Sequence, residues 1–218
     1  MSKKVIILSM LLFLGFIISI ATYQRNGIWK DTMTLWKDVV TKSPNKARPH
    51  NNLGYAYGLQ NRLSEAAQEY KTSIKLEPDF PEVYFNLGNV YLDQRQWDKA
   101  IHEFRTAIVL KPNYPVAYYK LGLASANLGQ LDDAIKGFQA AIILKPDYAK
   151  AHVNLGSVYG QKGLTDEAIK EFITAIEINP NLAAAHNNLA IAYEQKGWPD
   201  KAIKEYQLGK EAAIKTLQ

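Results

Sequence analysis

The sequence contains no cysteine. Disulfides, thiolate metal sites, cysteine nucleophiles, covalently attached c-type haem and lipoprotein-style lipidation are therefore excluded. It also lacks a glycine-rich phosphate loop and a Gly-x-Ser-x-Gly elbow, the local signatures of nucleotide binding and of serine hydrolases. Its four histidines have no thiolates or clustered carboxylates beside them, so no metal and no cofactor is expected. A block of one charge sign is absent as well: 26 basic and 21 acidic residues are interleaved to a net charge of +5. That distribution argues against nucleic acid as the main partner.

Charge is missing altogether from Val5 to Thr22, eighteen residues reading VIILSMLLFLGFIISIAT behind Lys3 and Lys4. As a helix this run spans roughly 27 Å, against a hydrocarbon core of roughly 30 Å. Two readings fit it. One is a retained transmembrane anchor, residues 1–22. The other is a signal peptide cleaved near Ala21, because Ser19-Ile20-Ala21 puts small residues where a signal peptidase inspects them. The run exceeds the usual apolar length of a signal peptide, which favours the anchor. A buried first helix of the fold would show a polar stripe, and Ile6, Leu11, Leu12, Phe13, Leu14, Phe16 and Ile17 leave none.

Beyond the run, the chain repeats itself. Pro44, Pro78, Pro112, Pro146 and Pro180 are each 34 residues apart, and Pro81–Tyr114 and Pro115–Tyr148 align without insertion or deletion. A period of this length marks a stacked solenoid. Five complete units are delimited, 47–80, 81–114, 115–148, 149–182 and 183–218, preceded by a half-repeat at 23–46 with a helix expected from about Trp29 to Thr41. In each unit two amphipathic segments flank a polar break such as Gln60-Asn61 or Lys162-Gly163, so each unit is a helical hairpin. The first helix carries Leu53, Leu87, Leu121, Leu155 and Leu189 ahead of Gly54, Gly88, Gly122, Gly156 and Ala190. The second carries Ala66, Ala100, Ala134, Ala168 and Ala202, followed four residues later by Tyr70, Phe104, Phe138, Phe172 and Tyr206. A glycine inside a helix costs about 1 kcal/mol against alanine, so four at one position need a packing reason. Close approach of the paired helices supplies it, with the aromatics filling the space between units.

This pattern resembles the tetratricopeptide repeat: aromatic-x-x-Leu-Gly-x-x-Tyr, then Ala-x-x-x-Phe-x-x-Ala, then Pro. In the second unit those residues are Tyr84, Leu87, Gly88, Tyr91, Ala100, Phe104, Ala107 and Pro112. The resemblance implies an all-α solenoid, a right-handed superhelix of helical hairpins. His50, His152 and His186 depart from it at the first aromatic, where they read as core or edge residues, and Ser125 replaces a tyrosine. Ile214 replaces a sixth ladder proline, so the last helix is expected to run through Lys215 and close the C-terminal end of the stack.

Asn52, Asn86, Asn154 and Asn188 recur at one place on the first helices, interrupted only by Lys120. The sequences His50-Asn51-Asn52-Leu53-Gly54 and His186-Asn187-Asn188-Leu189-Ala190 are similar to the asparagine-ladder repeats of O-linked N-acetylglucosamine transferases. That resemblance implies that these residues face a groove and hold the main chain of an extended peptide. A carboxamide suits the task, being both donor and acceptor. Duplication of an ancestral unit would also repeat asparagine without present use. Tyr55, Asn89 and Lys150 join the candidate groove, and Lys120 with Lys150 forms only an incomplete clamp for a C-terminal carboxylate.

Two functions are consistent with this reading. The favoured one is a non-catalytic scaffold, anchored in a membrane through residues 5–22, which gathers partner subunits or an extended partner segment. Open solenoid ends would also permit head-to-tail self-association. The alternative is a peptide-binding accessory unit of a separately encoded membrane enzyme. An apolar helix, a Trp-rich half-repeat and tetratricopeptides resemble the tail of multispanning glycosyltransferase-like proteins, and the multispanning part is not in this sequence. Lys3 and Lys4 precede the apolar run, whereas Asp31 offsets Arg25 and Lys30, so the repeats are expected on the extracytoplasmic side. Protease added to intact spheroplasts is therefore expected to degrade the repeats. Protection until lysis would put them in the cytoplasm.

Overall fold

A computed structural model describes residues 31–215 of the chain. The predicted membrane segment at 5–22 and the predicted helix start at Trp29 lie outside the described residues. Among the described residues there are eleven helices and no strand, and no helix is long and apolar enough to cross a membrane. The helices are α1 (Thr32–Lys42), α2 (Ala47–Leu59), α3 (Leu63–Leu76), α4 (Pro81–Asp93), α5 (Trp97–Leu110), α6 (Pro115–Asn127), α7 (Leu131–Leu144), α8 (Ala149–Gln161), α9 (Thr165–Ile178), α10 (Ala183–Gln195) and α11 (Pro199–Lys215). Each hairpin opens at the residue where the 34-residue register places a unit. Proline stands at the first turn of α4 and α6, where its missing N–H has no helical partner to lose. α11 runs to Lys215, three residues longer than α9, as the missing ladder proline allows.

The chain divides into two units between Pro78 and Asp79. In the first, α2 packs on both α1 and α3. In the second, each first helix (α4, α6, α8, α10) packs on its own second helix (α5, α7, α9, α11), and α5, α7 and α9 each pack on the next first helix. Successive first helices also touch, α4 with α6, α6 with α8, and α8 with α10.

The hairpin turn has one demanding position. Asn61, Arg95, Gly129, Gly163 and Gly197, all one period apart, have φ of 57°, 59°, 81°, 76° and 74°. Glycine adopts this left-handed region freely and asparagine tolerates it, whereas Arg95 carries a cost of roughly 1 kcal/mol.

Small residues in the first helices serve a specific contact. A Cβ placed on Gly54, Gly88, Gly122 or Gly156 would lie 2.8, 2.6, 2.8 and 2.7 Å from the ring of Tyr70, Phe104, Phe138 and Phe172 respectively. The aromatic of each second helix thus rests on the bare backbone of its own first helix. The same ring also meets the following hairpin: Phe138 packs with Leu155 and Val158, and Phe172 with Leu189 and Ala192. Burying one such ring contributes on the order of 1.5–3 kcal/mol. The last hairpin departs from this pattern, and among the described residues no further hairpin packs over it. Ala190 has a methyl where the others have none, and Tyr206, expected in the buried aromatic series, is instead 38% exposed and donates its hydroxyl to Glu194 at 3.2 Å.

The histidines form a second repeated contact, confirming a core placement. His50, His152 and His186 are buried, with Nδ1 facing Glu69, Glu171 and Glu205 at 2.6, 2.6 and 2.7 Å. Nε2 of the same rings faces the carbonyls of Pro44, Pro146 and Pro180 at 2.9, 3.2 and 3.0 Å. Each imidazole therefore ties the ladder proline to the second helix of its hairpin, and both ring nitrogens face acceptors. For His152 the Glu171 carboxylate raises the pKa above the ordinary histidine value, with the Pro146 carbonyl adding to it, against burial, which lowers it.

Two tests follow from these contacts. Gly156→Ala forces a methyl into the Phe172 ring, whereas Gly160, on the same helix, has nothing within 4 Å of an added Cβ. Gly156→Ala should cost about 1–3 kcal/mol in urea unfolding and Gly160→Ala should gain up to about 1 kcal/mol. Equal shifts would show that the glycine seat is not what holds the hairpin. The second test is pH-dependent. Because folding raises the pKa of His152, the stability it contributes is complete below about pH 6.5 and fades as pH climbs through the raised value. Glu171→Gln should cost about 1–3 kcal/mol at pH 6 and less as pH rises through the raised value. A loss independent of pH would refute the charged pair.

Candidate functional site

The asparagine row lies on the exposed side of the first helices. In the 79–215 unit it is Asn86 on α4, Lys120 on α6, Asn154 on α8 and Asn188 on α10, all half-buried. One helical turn on stand Asn89, Leu123, Ser157 and Ile191, and a further turn on Asp93, Asn127, Gln161 and Gln195. Residues at i, i+3 and i+7 share one helix face, so three short rows run across four adjacent first helices.

Two adjoining cavities open along these rows. One, of about 220 Å³, is lined by Leu123, Asn127, Asn154, Ser157 and Gln161 among others, with Phe138 beneath. The other, of about 280 Å³, has Ser157, Gln161, Asn188, Ile191 and Gln195 on its walls and Phe172 beneath. Ser157 and Gln161 belong to both. The two rings of the glycine seats therefore underlie the groove. Its walls are neutral, mixing carboxamides with Leu123 and with Ile191, which is 46% exposed.

The asparagines do more than face solvent. Nδ2 of Asn154 donates to the Tyr119 hydroxyl of α6 at 2.9 Å, and Nδ2 of Asn188 donates to Ser157 Oγ of α8 at 3.1 Å. Both bonds bridge one first helix to the preceding one. Burial pushes the Tyr119 phenol up, and the Asn154 amide opposes that shift. Tyr119 is held in turn by Phe138 and Tyr148, ring centroids 5.8 and 4.9 Å away. One N–H of each carboxamide is thus committed inside the protein, and the other N–H and the carbonyl remain for a partner. Beside the expected place along a groove, these side chains thus have a bridging role between helices. Its signal in the sequence is slight, because Tyr119 and Ser157 occupy different repeat positions.

The remaining candidates divide by place. Asn89 donates to the Phe85 carbonyl at 3.0 Å, and its buried Oδ1 has no hydrogen-bond partner. Lys120 is half-buried between Asn86 and Asn154 in the row. Lys150 is exposed and lines neither cavity, so the structure does not join it to Lys120 as a clamp. Asn52 and Tyr55 lie in the 31–78 unit: Asn52 Oδ1 accepts from Asn51 at 3.2 Å, and Tyr55 is 55% exposed. Among the described residues no group of three or more His, Cys, Asp or Glu is placed to hold a metal ion.

Comparison with known proteins gives consistent results. The family model described as TPR repeat matches residues 59–95, 88–129, 126–163 and 161–197, and that described as tetratricopeptide repeat matches 183–215. The crystal structure of MamA is 32% identical, with a TM-score of 0.71, covering 76% of this chain and 96% of that one. YrrB, whose structure is described as a TPR protein with an unusual peptide-binding site, is 23% identical with a TM-score of 0.69, covering 81% and 91%; this likeness is one of fold. A protein O-mannosyl-transferase of Caenorhabditis elegans is 33% identical over 61 residues, which are 28% of this chain and only 9% of the transferase.

Proposed function

The chain belongs to the tetratricopeptide repeat family, and on that premise we propose that it is a non-catalytic scaffold whose first-helix groove holds an extended segment of a partner protein. The fold is one typical of protein–protein interaction scaffolds. The observation that carries the reading is the pair of adjoining cavities beside Asn154 and Asn188. First helices packed about 10 Å apart match roughly three residues of extended chain at about 3.3 Å each. The carbonyl oxygens of Asn154 on α8 and Asn188 on α10 accept from a peptide N–H whatever the side chain, which suits capture through the backbone. Neutral walls with exposed apolar patches suit a partner segment of low charge. The apolar run at 5–22 supports a membrane tether, and Lys3 and Lys4 support an extracytoplasmic location for the repeats.

A second reading rests on a separate observation. The partial identity to an O-mannosyl-transferase, together with the Trp-rich segment behind an apolar run, favours an accessory unit that presents substrate polypeptide to a separately encoded membrane enzyme. The groove chemistry is the same in both readings.

The committed amide donors set the size of the expected effect. Asn154→Ala with Asn188→Ala removes two interhelical bonds, at about 0.5–1.5 kcal/mol each, and recovers about half of that through better helix propensity. Net stability should fall by about 0.5–1.5 kcal/mol. Partner capture, losing two backbone bonds, should weaken by roughly five- to a hundredfold. Asn154→Asp with Asn188→Asp, which keeps an acceptor oxygen at each place, should capture better than the alanine pair. Unchanged capture by the alanine pair, with loss on Lys170→Ala and Glu177→Ala of α9, would move the working surface to the second helices.

A further inference from the structure

Four hairpins fill one internal place with their own tyrosine, Tyr57, Tyr91, Tyr159 and Tyr193, and the third has Ser125 there instead. Ser125 is fully buried, its hydroxyl has no hydrogen-bond partner, and it lines an open-mouthed cavity of about 290 Å³. The other hairpins show what surrounds a tyrosine at this place. The ammonium groups of Lys99 and Lys201 lie 5.5 Å from the ring centroids of Tyr91 and Tyr193, and Gln139 donates to the Tyr159 hydroxyl at 3.1 Å. Shifted by whole 34-residue periods into the third hairpin, those neighbours become Asp133 and Arg105, and both line the cavity with Ser125. The cavity is a tyrosine seat without its ring.

The third hairpin has not closed over the space. Gly137 stands where the other four units have Glu69, Glu103, Glu171 and Glu205, and it lies so near Gly122 that an added Cβ would come within 2.8 Å of that residue's backbone. Even with the helices this close, Leu121 stays half-buried on the cavity wall, whereas Leu53, Leu87, Leu155 and Leu189 at the same position are 3%, 1%, 2% and 2% exposed. At the mouth, Arg105 and Lys136 flank Asp133 at 3.4 and 3.5 Å, two cations to one carboxylate. The site thus has an apolar wall, a cationic rim and an unmet hydroxyl on its floor. A buried hydroxyl without a partner is costly and is satisfied by a ligand that can hydrogen-bond to it.

We infer that this pocket receives a tyrosine side chain of a partner protein, entering hydroxyl first. The phenol O–H pairs with Ser125 Oγ, the ring lies along Leu121, and the Arg105 guanidinium covers the ring at the mouth, a favourable place for a cation. This goes beyond the groove reading, since the pocket shares no lining residue with either groove cavity. The asparagine variants should therefore leave it intact.

The test is titration of the full-length chain in detergent with 4-methylphenol, the tyrosine side chain alone, with toluene, and with N-acetyl-tyrosinamide, followed by NMR at the amides of Leu121 and Ser125. 4-Methylphenol and N-acetyl-tyrosinamide are expected to shift these amides, and toluene to bind about tenfold more weakly because it leaves Ser125 unpaired. Ser125→Ala should erase the preference for the phenol. Ser125→Tyr should rebuild the internal seat, abolish all three responses and raise Tm by about 2–4 °C. No response at these amides, binding undiminished in Ser125→Tyr, or a lowered Tm in that variant would each overturn the proposal. Binding of 4-methylphenol without N-acetyl-tyrosinamide would overturn the assignment to a partner protein in favour of a free phenol.

Discussion

The contact between an aromatic ring and a bare stretch of helix backbone is the interaction on which the rest of this structure depends. At Gly54, Gly88, Gly122 and Gly156 the first helix gives up a side chain, and the ring of Tyr70, Phe104, Phe138 or Phe172 occupies the space. The ring sits where three helices meet in the 79–215 unit, so one residue type sets both the closeness of a hairpin and its spacing to the next. Phe138 and Phe172 then form the floor of the two groove cavities. Helix packing and the recognition surface are in this sense one arrangement, viewed from inside and from outside.

Departures from the rule change the surface locally. In the last hairpin, where Ala190 takes the place of the glycine, Tyr206 is half-exposed and bonds Glu194. Ser125 and Gly137 together empty the third hairpin of a tyrosine and a glutamate that the other units keep. Repeated folds tolerate such losses because each unit leans mainly on its neighbours, so a defect in one hairpin is not transmitted along the chain. A unit freed from a packing requirement can then present a cavity of its own.

Much of the fold was legible in the sequence because it is periodic. The proline ladder set the register, the Leu-Gly and Ala-x-x-x-Phe positions marked the helix contacts, and the helices begin at Ala47, Pro81, Pro115, Ala149 and Ala183 as that register requires. What periodicity concealed were contacts between unlike positions. Glu69, Glu171 and Glu205 each reach a histidine nineteen residues earlier, and nothing in a helical pattern singles out that partner. The asparagine row was visible as a row. Its donors to Tyr119 and Ser157 were not, since those acceptors belong to neighbouring helices at unrelated repeat positions. Lys150, selected for its charge, sits apart from both cavities, because charge alone carries no information about the face of a helix.

The account assigns partner recognition to the groove over α6, α8 and α10, with the second helices as its support. Site-specific photo-crosslinking tests that most directly, with a photoreactive residue at Gln161 or Gln195 in the groove, or at Lys170 or Glu177 on α9, in otherwise unchanged chains. The account predicts a common cross-linked partner from Gln161 and Gln195 and none from Lys170 or Glu177. Cross-links confined to Lys170 and Glu177 would contradict it.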